Sequence, residues 1–122
     1  SYAWTCWLGG WEPGIIDYLK NKKLSKLRYF HIPNQGMRSV KYNTLLSRMG
    51  MKPGCPDLIL EFQGGQIVYI ELKTKKGVLS TSQKLWQKVS KIMKTPYYIL
   101  KGGVFSDVQN ELDTIITKHY KA

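Results

Sequence analysis

Gly54-Cys55-Pro56-Asp57-Leu58-Ile59-Leu60-Glu61-Phe62-Gln63-Gly64-Gly65-Gln66-Ile67-Val68-Tyr69-Ile70-Glu71-Leu72-Lys73 is the stretch whose reading decides the fold. It holds two short apolar runs, Leu58-Ile59-Leu60 and Ile67-Val68-Tyr69-Ile70, separated by a polar segment with a glycine pair. Each run is rich in β-branched or aromatic residues and is bounded by turn formers, so the two read as the strands of a hairpin. Both are apolar at successive positions, which predicts strands buried on both faces at the centre of a sheet.

The hairpin brings the start of one strand beside the end of the other, so register decides what meets there. A two-residue turn at Gly64-Gly65 sets Asp57 opposite Leu72 and sends Asp57 and Glu71 to opposite faces. A three-residue loop, Gln63-Gly64-Gly65, with a glycine in the left-handed conformation, sets Asp57 opposite Glu71. We expect the three-residue register, or a bulge of the same effect. Glu71 and Lys73, two residues apart, share a face in either case. Two carboxylates at 4 Å repel by about 4 kcal/mol at an effective dielectric of 20. Lys73 offsets part of this, and a divalent cation such as Mg²⁺ offsets more. The plain rival reading is a surface salt bridge at a hairpin end.

The neighbouring motifs add to this reading. Asn34-Gln35-Gly36-x-Arg38 lies upstream, Gly54-x-Pro56-Asp57 leads into the first strand, and Glu71-Leu72-Lys73 is followed by Lys76-Gly77-x-Leu79-Ser80-x-x-Gln83. In this order they resemble the PD-(D/E)xK nuclease superfamily, and within it the VRR-NUC (virus-type replication-repair nuclease) domain, over residues 32–99. The resemblance implies a single nuclease domain over 1–122 with an αβββαβ restriction-endonuclease-like core: a central mixed sheet flanked by helices, here with an extra C-terminal helix. It implies a Mg²⁺ or Mn²⁺ cofactor held by Asp57, Glu71 and the backbone carbonyl of Leu72, with Asp57, Glu71, Lys73 and Gln83 as the catalytic set. It also places the Asn34-Gln35-Arg38 loop beside that site. Relatives usually carry a metal-binding glutamate on the first helix. Glu12 and Asp17 are the nearest acids here, neither in a recognisable motif, and Glu12 reads better as a helix-start residue than as a metal ligand. Compact members look like junction resolvases that act as two-fold dimers, so a homodimer on branched DNA is expected.

Composition agrees with a polyanionic partner. Nineteen Lys and Arg against eight Asp and Glu give a net charge of +11 over 122 residues. Such an excess favours nucleic acid first and an anionic membrane second. The two cysteines, Cys6 and Cys55, have neither zinc-site spacing nor a disulfide framework, so an intracellular setting is expected, cytoplasmic or in a host cell. No apolar run reaches the roughly 18 residues of a membrane span, and no small-molecule cofactor motif is present.

The rest of the chain fills in the predicted elements. Trp4, Trp7 and Trp11 cluster before Glu12-Pro13, which opens a helix to about Lys22 with Ile15, Ile16 and Leu19 on its apolar face. Leu27 to Ile32 alternates as a first strand, with His31 read first as a hydrogen-bonded strand residue and otherwise as a phosphate contact or general acid. Tyr42 to Met49 reads as a short helix ended by Gly50. Ser80-x-x-Gln83 is a capping box opening a second long helix, with Leu85, Trp86, Val89, Ile92 and Met93 as its apolar face. Gln83 therefore has two competing uses, as a cap and as an active-site amide. Tyr97 to Leu100 is a strand parallel to the Ile67 strand. Ser106-x-x-Gln109 reads as another capping box, before a helix whose buried stripe is Val108, Leu112, Ile115 and Ile116.

The expected activity is metal-dependent hydrolysis of DNA phosphodiesters, on branched DNA such as Holliday junctions or flaps, with Lys75 and Lys76 joining Arg38 on the backbone. The alternative is a non-catalytic nucleic-acid-binding module of the same fold. A sequence-reading restriction enzyme ranks last, because no recognition domain is present.

Overall fold

The computed structural model describes residues 11–32, 48–50 and 52–120. The predicted helix at 42–49 and the loop holding Asn34, Gln35 and Arg38 fall almost wholly outside them, as do Trp4, Trp7 and Cys6. The elements are α1 (Trp11–Lys22), β1 (Leu27–His31), β2 (Leu58–Phe62), β3 (Gln66–Lys73), α2 (Thr81–Ile92), β4 (Tyr97–Lys101) and α3 (Phe105–His119). The four strands form one mixed sheet in the order β1-β2-β3-β4, antiparallel except for the parallel pair β3–β4. Among the described residues the protein is thus a mixed α/β fold with a four-stranded sheet and three helices.

The hairpin has the three-residue register. Phe62 pairs with Gln66 and Leu58 with Ile70, so one further step sets Asp57 across from Glu71. Gln63–Gly65 forms a tight 3₁₀ turn in which Gly64 (φ 83°) and Gly65 (φ 79°) both adopt the left-handed conformation that glycine alone enters at little cost.

One face of the sheet is sealed. Leu58, Leu60, Phe62, Val68, Ile70, Leu72 and Leu100 pack with Ile15 and Leu19 of α1 and with Val108, Leu112, Ile115 and Ile116 of α3. The stripe predicted for α3 is the stripe that is buried. Tyr18 of α1 donates a hydrogen bond to Asp113 of α3, and Lys22 joins the same carboxylate at 2.8 Å, which ties the two helices together. The opposite face carries Asp57, Tyr69, Glu71, Lys73 and Tyr97 and is covered by α2, where the Tyr69 and Trp86 rings meet edge-on at 5.8 Å.

Four expectations need correction. The central strands are not equally buried on both faces: β2 alternates between sealed and half-buried positions, because α2 covers its side of the sheet only in part. Of the apolar face predicted for α2, Trp86 packs inward on Tyr69, but Leu85, Val89, Ile92 and Met93 are exposed, and Ser90 is the buried residue of that helix. Ser106-x-x-Gln109 is not a capping box. Val104 occupies the cap position of α3 without a side-chain hydrogen bond, so Ser106 already lies inside the first turn. Finally, α1 begins at Trp11, two residues before Pro13.

Candidate active site

Two loops deliver Asp57 and hold it. Gly54 (φ +79°) presses against the first turn of α2, where a Cβ would lie 2.4 Å from the Ser82 carbonyl oxygen. Only glycine permits this approach and this backbone angle. Pro56 is sealed behind it, and the Asp57 carbonyl accepts from Ile32 N–H at 2.8 Å, extending the β1–β2 ladder by one bond. The Asp57 side chain then does what a strand partner would do: its Oδ2 accepts the Leu72 N–H at 2.8 Å. A buried backbone donor is satisfied by a carboxylate that is itself buried. Tyr69 N–H bonds the carbonyl of Pro96, just before β4, so alternation turns the backbone groups of Leu72 toward the β2 side, where Asp57 lies.

Glu71 is the most unusual residue of the site. It is 1 % exposed, yet it is an acid. Its Oε2 accepts from Gln83 Nε2 at 3.3 Å; among the described residues its Oε1 is buried with no partner at hydrogen-bond geometry, with the Asp57 carboxylate and the Tyr97 hydroxyl close enough to act on its charge. Burial, and then the adjacent Asp57 carboxylate, push its pKa up to about 9 despite the opposing effect of Lys73. An orphaned buried carboxylate oxygen costs free energy unless a proton or a cation meets it.

Gln83 is the capping-box residue, and the same side chain also reaches Glu71. Its Oε1 accepts the Ser80 N–H at 2.8 Å while its own N–H donates to Ser80 Oγ at 3.3 Å, completing the capping box at the start of α2. The other end of the same amide reaches Glu71. An amide has an acceptor and a donor pointing apart, so one side chain bridges helix cap and carboxylate.

Two nearby residues were not anticipated. Tyr97, at the start of β4, pairs with Tyr69, which puts it on the Glu71 face. Its hydroxyl is buried with no partner at hydrogen-bond geometry among the described residues, and burial together with the charges of Glu71 and Asp57 holds its pKa well above the usual phenol value. Cys55 is half-buried, and its thiol is pushed up by burial first and by the same two carboxylates after that. The parallel pairing of β4 with β3 was legible in the sequence, and carried one step further it would have found Tyr97.

The remaining predicted residues divide. Lys73 lies half-buried on the carboxylate face at the end of β3, and Lys75 and Lys76 are exposed in the turn that follows. Asn34, Gln35 and Arg38 lie outside the described residues. Glu12 falls in the first turn of α1, and Asp17 is exposed. His31 pairs with Leu58 and so shares the face opposite Asp57, which removes it from the carboxylate cluster. Among the described residues no group of three or more His, Cys, Asp and Glu is arranged to hold a metal ion. The donor set that does converge is two carboxylates with the Leu72 backbone beside them. Two carboxylates with open positions for water suit Mg²⁺, which keeps several waters and rarely has a complete protein cage.

No family model matches the chain, and no curated protein and no solved structure was found to be similar to it.

Proposed function

We propose that this protein is a metal-dependent endonuclease that hydrolyses DNA phosphodiesters, with branched DNA as its preferred substrate. The single observation that carries the reading is the sealed Oε1 of Glu71, without a hydrogen-bond partner among the described residues, on a carboxylate directly across the hairpin from Asp57. A purely structural salt bridge has no use for a carboxylate oxygen buried without a partner, whereas a cation site does. The order α1-β1-β2-β3-α2-β4, with a β1-β2-β3 meander and a parallel β4, also agrees with a restriction-endonuclease-like core.

In this reading Asp57 and Glu71 hold Mg²⁺ or Mn²⁺, with the Leu72 carbonyl beside them. When bound, such a cation supplies Lewis-acid polarisation of the phosphate and a water of lowered pKa. Lys73 stabilises charge that builds on the phosphate oxygens during in-line attack. Gln83 fixes the orientation of Glu71 through its amide. Lys75 and Lys76 meet the flanking backbone. Between Glu71 and Asp107 the sequence holds eight lysines and no acid, so the segment that follows the carboxylates attracts a polyanion. A two-fold homodimer would present two such sites to a four-way junction.

The test is cleavage of four-way junction, flap and plain duplex DNA with Mg²⁺, Mn²⁺ or EDTA. Branched DNA is expected to be cut with either metal and spared with EDTA. Asp57→Ala is expected to lose at least about 100-fold in rate, as removal of groups that organise the transition state does, with DNA affinity little changed. No cutting of any substrate, or an Asp57→Ala variant as fast as the parent, would leave the non-catalytic binding module as the better reading.

A further inference from the structure

Helix α2 turns the wrong way for a core helix. Leu85, Val89, Ile92 and Met93 recur at i, i+4, i+7 and i+8 and so form one stripe, and they are 61 %, 42 %, 71 % and 69 % exposed. Single exposed aliphatic residues are ordinary; four in register on one helix are not. Between this stripe and the sheet lies a groove of about 460 Å³, walled by Lys52, Pro53, Tyr69, Trp86, Val89 and Met93. Lys84, Lys88 and Lys91 follow the same helical spacing, about a quarter turn round from the stripe, and all three are exposed. No acid occurs on α2 or anywhere from residue 72 to residue 106.

Three kinds of occupant can be weighed against that pattern. DNA would use the lysine row but gains nothing from four aliphatic side chains, since phosphates and sugars are polar. A second copy of the chain, with its α2 antiparallel across a two-fold axis, would bury the stripe but set lysine row against lysine row. An amphipathic helix with an apolar face and an acidic flank satisfies both features at once. From Leu85 to Met93 the stripe spans about 12 Å, enough for two turns of a partner helix.

We propose that the outer face of α2 is a docking surface for an acidic amphipathic helix of a partner protein, with the apolar stripe as anchor and the lysine row as guide. The surface is separate from the carboxylate cluster and does not depend on the nuclease reading. Gln83 lies on the same helix but faces Glu71, so an occupant of the outer face leaves the site open.

The probe is a fluorescein-labelled helical peptide with leucines at i, i+3, i+4 and i+7 and glutamates on the flanks, beside a twin with lysines in place of the glutamates. Fluorescence anisotropy is expected to show saturable binding of the acidic peptide and none of the twin. The double variant Leu85→Ser/Ile92→Ser, and separately Lys84→Glu/Lys88→Glu, should each weaken binding at least about tenfold, as loss of interface anchors does. All four residues are exposed, so circular dichroism and the melting temperature should be unchanged. The proposal is overturned if the acidic peptide fails to bind, if both peptides bind alike, or if the double variant binds like the parent. It is equally overturned if the parent sediments as a dimer that Leu85→Ser/Ile92→Ser splits, which would make a second copy the occupant. Loss of duplex-DNA affinity in that same variant would make DNA the occupant.

Discussion

Glu71 shows how one residue can be costly to the fold and useful to the site. An isolated carboxylate in a sealed position prefers its proton, and its pKa stands at about 9 against an ordinary value of 4.5. The folded protein therefore holds one more proton than the unfolded chain between those two values. The stability tied to this group is fully present below pH 4.5 and is lost as pH rises through about 9. Metal-free Glu71→Gln, which cannot ionise, should accordingly melt higher than the parent at pH 8 to 9 and close to it at pH 4. The same variant should lose the rise in melting temperature that Mg²⁺ gives the parent, because ligand binding to the folded state is what produces that rise. Calorimetry across pH, with and without Mg²⁺, checks both; a variant less stable than the parent at pH 9 would contradict the burial cost. Gly54 is the second residue whose identity is forced. Gly54→Ala meets a left-handed backbone angle and the Ser82 carbonyl together. It should cost at least about 2 kcal/mol and displace Asp57, read as a lower denaturation midpoint and weaker metal binding.

At the level of elements, the capping box of α2 and the carboxylate site share an amide, and substitution can separate the two uses. Ser80→Ala removes the side-chain acceptor of the Gln83 N–H and should cost about 1 kcal/mol with activity within a few-fold of the parent. Gln83→Glu keeps a capping-box acceptor for the Ser80 N–H but replaces the donor to Glu71 with a third carboxylate. Its helix should hold, and its cleavage rate should fall by about tenfold or more, as a like charge is added beside a carboxylate. Equal effects of the two changes on rate would mean that the amide acts on the site only through the helix. The capping box itself could be read from four residues, because its hydrogen bonds close within one turn. The parallel case at Ser106 failed because Val104 takes the cap position, and the spacing of two polar residues says nothing about where a helix has already begun.

On the scale of the molecule, the charge is divided unevenly along the chain. Eight lysines without an acid follow the carboxylate cluster, while the Arg28–Glu61 pair, two hydrogen bonds of 2.8 Å on an exposed edge, neutralises itself locally. DNA affinity should fall with salt at a log–log slope near −0.9 per phosphate contacted. Lys75→Ala/Lys76→Ala should flatten that slope by about 1.8 if each lysine meets one phosphate of B-DNA. Filter binding or anisotropy from low to physiological salt measures it; an unchanged slope would move the backbone contact elsewhere.

The sequence by itself determined the hairpin, its three-residue turn, the facing of Asp57 and Glu71, the cap at Ser80 and the buried stripe of α3. Each of these depends on contacts between residues close in the chain, or on a period that a single element must obey. What only the tertiary structure decided is how elements distant in sequence share the sheet. The side of α2 that meets Tyr69 and the exposure of Leu85 and Ile92 belong to that group. An apolar stripe states that a helix has something to bury; whether the sheet beneath is broad enough to bury it depends on strands tens of residues away.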